Sequence, residues 1–217
     1  MRKFLTKRKD ESSDMEQFFL ALQPTIEEAV RHAMEKIRQE IGKEHIYSAA
    51  LVTDSDCITL FLAVNTEEAL AKRDEKDRTP ERLAELRKYW PDELVDHVAD
   101  GSFSLNRYVP DEWGYSDGTG SELNQVSQHL YNQEETLSDV DDAYDEVHER
   151  FQELLVETAA RVFERLRAEG VFGPEVVCFI SMSDDDRTPE IEDTSAQRLN
   201  TPEQYKQFQT WTSIFNE

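Results

Sequence analysis

The sequence predicts an α+β fold, a single layered domain whose central sheet of about four strands, a β-hairpin plus later strands, is packed by helices. Three observations predict it. Apolar residues recur at helical spacing from Ile26 to Ile41 and again from Val140 to Leu166. Two β-branched and apolar runs, Ile46 to Thr53 and Cys57 to Val64, flank the polar triplet Asp54, Ser55, Asp56. A third continuous apolar run, Val176 to Ile180, lies between Pro174 and Asp184.

Taken in order, residues 1–13 read as a basic, flexible N-terminal tail and 14–217 as the domain. Asp14 can cap a short helix bearing Met15, Phe18, Phe19 and Leu22, which Pro24 ends. Thr25 and Glu28 form a capping box for the next helix, and Gly42 stands where its C-terminal cap belongs. The hairpin follows, apolar on both faces, as a sheet covered by helices on each side would be. Asn65 and Glu68 repeat the capping-box pattern before a short helix, and Thr79 with Pro80 opens another through Leu83, Leu86 and Trp90. Pro91 allows one more turned segment through Leu94, Val95 and Val98, closed by Gly101. Phe103 to Val109 reads as a third strand, Pro110 to Gly120 as a loop, and Ser121 to Tyr131 as a helix. Ser138 to Glu169 is a long helix stopped by Gly170. The buried strand Val176 to Ile180 comes next, and Thr201, Pro202 and Gln204 start the last helix.

Charge narrows the partners. The chain holds 47 acidic against 24 basic side chains, a net charge of -23, and five of the bases, Arg2, Lys3, Lys7, Arg8 and Lys9, crowd the first nine positions. The remainder repels phosphate and anionic lipid, so neither nucleic acid nor membrane is an expected partner, and a basic protein is. The start has no apolar stretch of signal-peptide length and nothing approaches a membrane span. Cys57 and Cys178, each inside an apolar run, read as reduced core thiols of a cytoplasmic protein. No motif calls for a cofactor. The glycine-rich stretch Ser116 to Ser121 lacks the lysine of a phosphate-binding loop, and the five histidines form no metal-ligating pair.

Between Glu134 and Glu157 lie ten acids against the single base Arg150. Like charges at helical i, i+4 spacing repel, so an acidic run of this density reads either as a surface kept for a basic partner or as general solubility. Asp139, Asp141, Asp142, Asp145, Glu146 and Glu149 are the candidate partner contacts, with Trp113 and Tyr115 as cover for one sheet edge or as aromatic anchors. Asp184, Asp185 and Asp186 follow a central strand, where carboxylates are held rigidly. They read as a solvated turn, the alternative being a metal or small-ligand site of an enzyme that also uses the loop from Asp111 to Gly120.

The pieces YSAALVTD (47–54), NTEE (65–68), DEWGY (111–115), GVFG (170–173), SDDD (183–186) and SAQRLN (195–200) together resemble bacterial proteins of the DUF4303 family, over roughly residues 25 to 200. The resemblance implies a family with no established enzyme activity, some of whose members look like immunity proteins encoded beside secreted toxins. It makes a cognate bacterial toxin the expected basic partner, neutralised by occlusion. The acidic stretch around Ser138 and the basic N-terminal segment go beyond the family pattern.

Overall fold

A computed structural model describes residues 2–118, 121–137 and 144–215, with side chains from Ser13 onward. The first helix, α1 (Arg2–Ile41), is continuous, so the break expected at Pro24 is absent and Thr25 caps nothing. The basic segment forms its first turns as backbone. Pro24 removes an N–H that would bond the Leu20 carbonyl, but Leu20 is 68% exposed, where water can reach. Against that cost of about 3 kcal/mol stands an unbroken buried stripe through Phe19, Leu22, Ile26, Val30, Met34 and Ile37. Each such residue contributes about 1.5–3 kcal/mol, so packing outweighs the proline. Gly42, at φ +67°, ends the helix.

Strands β1 (Ile46–Asp54) and β2 (Leu60–Thr66) pair antiparallel. Cys57 belongs to the turn between them and not to the second strand, at φ +58° with its amide donating to the Asp54 carbonyl at 3.0 Å. Asp54 organises that turn, accepting from the Ile58 amide at 3.0 Å and from the Thr59 hydroxyl. A register shift between Ile46 and Ser48 puts Tyr47 on the same face as Ala50 and Val52.

The cap of α2 (Glu67–Asp77) is Thr66, whose hydroxyl accepts from the Ala69 amide, one residue later than the sequence pattern suggested. Asn65 is instead buried in β2, donating to the Tyr47 hydroxyl at 2.9 Å. Helix α3 (Pro80–Leu86) ends a turn short of Trp90, and α4 (Asp92–Asp100) follows as read, closed by Gly101. Phe103 to Val109 is not a strand. Its backbone turns, and its aromatic side chains serve the core: Phe103 stacks on Trp211 and Tyr108 packs on Phe208. The third strand is the two-residue β3 (Tyr115–Ser116), paired with β2.

Helices α5 (Glu122–Leu137) and α6 (Tyr144–Ala168) come next, then β4 (Val177–Ser183), parallel to β1. The sheet order is β3-β2-β1-β4. Helices α1, α5 and α6 cover one face over Ala49, Leu51, Leu62, Cys178 and Ile180. The other face, with Ala50, Val52, Val177 and Phe179, is covered by α2, α7 (Thr188–Leu199) and α8 (Pro202–Thr212).

Helix α7 has no counterpart in the sequence reading, because the side it presents to β4 is small and polar. Strand β4 is an edge strand, and α7 closes that edge with side chains: the Ser195 hydroxyl accepts from the Ile180 amide at 2.9 Å. Asn200 accepts from the Cys178 amide at 2.8 Å and donates to the Cys178 carbonyl at 2.7 Å. The Thr188 hydroxyl donates to the Met182 carbonyl. An edge satisfied in this way offers no backbone ladder to another chain.

Candidate binding cleft

On the α7 and α8 face, β4 alternates Val177, Phe179, Ser181 and Ser183 toward the same side. Where the apolar pair gives way to the two serines, a cleft of about 1290 Å³ opens beside the C-terminal end of the strand. Parallel strands commonly present ligand sites at this end. The capping box of α8, in which Thr201 and Gln204 bond each other's backbone amides, fixes the start of a helix whose far end brings Trp211 to the cleft. Phe215 follows in a short 3-10 turn. Trp211 and Phe215 lie 4.6 Å apart, Trp211 meets Tyr108 at 5.5 Å, and Trp90 meets Phe215 at 5.4 Å. The Trp211 indole donates to the Ser104 carbonyl at 2.7 Å, which sets the ring's orientation.

Six carboxylates line the cleft against three bases. Arg73 pairs with Glu112, Arg82 with Asp77 and Glu85, and Asp193 accepts from the Tyr205 hydroxyl. Asp77 is buried and also accepts from the Asn106 amide at 2.6 Å. Among the described residues, Asp111, Asp184 and Glu192 have no ion-pair partner. Glu192 accepts from the Ser181 hydroxyl at 2.6 Å. Burial pushes its carboxyl up to about 7; the Asp111 charge adds to the rise and the Ser181 hydrogen bond opposes it. Asp184 sits at φ +58°, a left-handed conformation that aspartate tolerates, and turns the chain out of β4 at the rim of the cleft.

Residues 26–201 match the family model of a domain of unknown function, DUF4303. The chain belongs to the DUF4303 family. No curated protein and no solved structure matches it.

In this DUF4303 protein the aspartate triplet fans out. Asp184 faces the cleft, while Asp185 turns back to the Arg187 amide at 2.8 Å and to Gln152, and the Arg187 guanidinium holds its carboxyl below the usual range. Asp186 is exposed. Among the described residues, no three histidine, cysteine or acidic side chains are placed to hold a metal ion.

Asp139, Asp141 and Asp142 lie outside the described residues. Asp145, Glu146 and Glu149 are exposed on the first turns of α6, with Glu149 3.8 Å from Arg187. Farther along α6 and just past its end the acids are paired: Glu153 with Arg150, Glu157 with Arg161 and Arg198, Glu164 with Arg198, and Glu169 with Arg31 and Arg165. Trp113 is half-buried against Phe179 at 5.7 Å, its indole donating to the Asn106 carbonyl. Tyr115 is half-buried too and donates to Glu44 at 2.7 Å. Both rings are therefore packed in place. Glu192, Ser181 and the aromatic wall of Trp90, Trp211 and Phe215 were not among the residues expected from sequence. The one local signal was the pair Ser181 and Ser183, alternating with Ile180 and Met182 in an otherwise apolar strand.

Proposed function

We propose that this DUF4303 protein is an acidic binding protein that neutralises a basic partner, as an immunity protein does when it occludes a cognate bacterial toxin. The observation that carries this reading is the gathering of acids from three elements at one end of the sheet. The hairpin turn brings exposed Asp56, the start of α6 brings Asp145, Glu146 and Glu149, and the turn after β4 brings Asp184 and Asp186. These elements are tied together: Gln152 donates to the Ser55 carbonyl at 2.6 Å and to Asp185 at 3.3 Å, and His148 donates to the same carbonyl at 3.0 Å. A helix N-terminus favours acids in its first turn, which accounts for Asp145 and Glu146. It does not account for the acids of the hairpin and the β4 turn.

Such a field raises the association rate with a cationic surface and makes binding salt-sensitive. The test is capture from the native cell lysate at low and high salt, with the wild-type chain beside one carrying Asp141→Lys, Asp142→Lys, Asp145→Lys and Glu149→Lys. A basic protein held by the wild type at low salt and lost by the variant supports the proposal. A partner captured equally by both sinks it. The cleft favours a second reading, a small-ligand or enzymatic site at Asp184 with the loop that begins at Asp111.

A further inference from the structure

We propose that the cleft at the end of β4 receives an arginine-bearing segment of the protein partner, its guanidinium held between the Trp211 ring and the carboxylates of Asp111, Asp184 and Glu192. The inference rests on the reading that the partner is a basic protein.

Three features of the cleft point to this occupant. Its volume of about 1290 Å³ exceeds the roughly 300–1000 Å³ of ordinary small-molecule sites, which suits a length of polypeptide. Its wall combines aromatic rings with carboxylates that lack a base of their own, and that combination selects cations. A guanidinium stacks on an indole face and bonds a carboxylate through two parallel N–H groups, whereas an ammonium offers only a point charge. The third feature is continuity: Asp184 at the cleft rim is the neighbour of Asp185, which is joined through Gln152 to the acidic start of α6. A partner lying across the acidic end of the sheet therefore meets the rim of the cleft at Asp184. Of the three bases that line the cleft, Arg73 is paired with Glu112 and Arg82 with Asp77 and Glu85, which leaves Lys206 as the base that competes with an incoming cation.

The probe is an acetylated and amidated Gly-Arg-Gly-Arg-Gly peptide, with the same peptide carrying citrulline as an uncharged isostere. Trp90 and Trp211 line the cleft and Trp113 does not, so tryptophan fluorescence in a Trp113→Phe chain reports on the site. The arginine peptide is expected to give a saturable change, with at least ten-fold weaker binding for the citrulline peptide. The Asp111→Asn, Asp184→Asn, Glu192→Gln chain is expected to lose at least ten-fold, with its thermal midpoint held as the folding control. Binding within two-fold of wild type in that chain overturns the inference, as does equal binding of citrulline, which would instead indicate a neutral ligand. Capture of the partner separates the two proposals. A basic partner recovered equally by wild type and the cleft variant leaves neutralisation standing and removes the cleft from it. Specific peptide binding with no basic partner recovered does the reverse.

Discussion

Replacing Asn200 by alanine tests whether α7 owes its place to closing the sheet edge. The side chain satisfies both the amide and the carbonyl of Cys178, a residue with no exposed surface, and also donates to the Ala196 carbonyl at 2.7 Å. Alanine leaves two buried backbone groups without partners. At about 1–3 kcal/mol for each orphaned group, the expected loss is roughly 2–6 kcal/mol. For a chain of this size that lowers the thermal midpoint by roughly 4–24 °C. Ser195→Ala, which orphans the Ile180 amide and removes only one longer contact to the Ile180 carbonyl at 3.3 Å, should cost about half as much. Urea unfolding gives the free energies, and amide exchange at Cys178 gives the local consequence, because that amide should lose protection before its neighbours on β1. An Asn200→Ala loss below about 0.5 kcal/mol, with an unchanged denaturant slope, would refute the edge-closure reasoning.

Two further outcomes follow from the interior and the cleft. Burial pushes the thiols of both Cys57 and Cys178 up to about 12, so neither should react with an aromatic disulfide reagent in the native chain, and both should react once urea unfolds it; a fast native thiol would contradict the packing of β4 or of the hairpin turn. With no cation in the cleft, the folded Glu192 carboxyl keeps its proton up to about pH 7, whereas the unfolded one releases it near pH 4.5. The unfolded state then binds fewer protons across that window, so this group lowers stability as pH rises from about 4.5 to 7 and adds no further slope above it. Urea midpoints of Glu192→Gln should therefore rise relative to wild type across the same window, and parallel profiles would refute the assignment.

Much of the fold was legible because burial wrote it into local pattern. The hairpin and β4 are apolar on both faces, which only a sheet covered on both sides requires, and the stripes of α1 and α6 repeat at the helical period. Where the reading failed, a distant contact overrode a local rule. Pro24 reads as a helix end, yet the stripe from Met15 to Ile41 packs across it against Phe151 and its neighbours on α6. Phe103 to Val109 reads as a strand because its aromatics look like strand residues, but they fill the core beneath α8 from a turning backbone. Helix α7 was silent because Ser195 and Asn200 carry its contact with β4 through hydrogen bonds. Without α7, neither Glu192 nor the cleft was visible. Asp184 and Asp111 could be singled out from their loops, but nothing in the sequence said that they share a space with Trp211.

The sequence pieces that carry the family resemblance meet around the sheet. Tyr47 of the first piece bonds Asn65 of the second, and Asn65 accepts from the Gly114 amide of the third at 3.3 Å. Gly114 passes so close to α2 that a Cβ there would lie 3.0 Å from the Ala69 Cβ, which explains why this turn takes glycine. Asn200, at the end of the last piece, closes the opposite edge on Cys178. These residues build the sheet and finish its two sides. Trp90, Trp211, Phe215 and Glu192 of the cleft lie outside all six pieces, as do the acids of α6, whereas Asp111 and Asp184 lie within the third and fifth. The pieces therefore carry the scaffold and two of the cleft's carboxylates, and leave its aromatic wall and Glu192 open. A chain with the same six pieces but without an aromatic at 211 or a carboxylate at 192 should fold alike and take a different ligand.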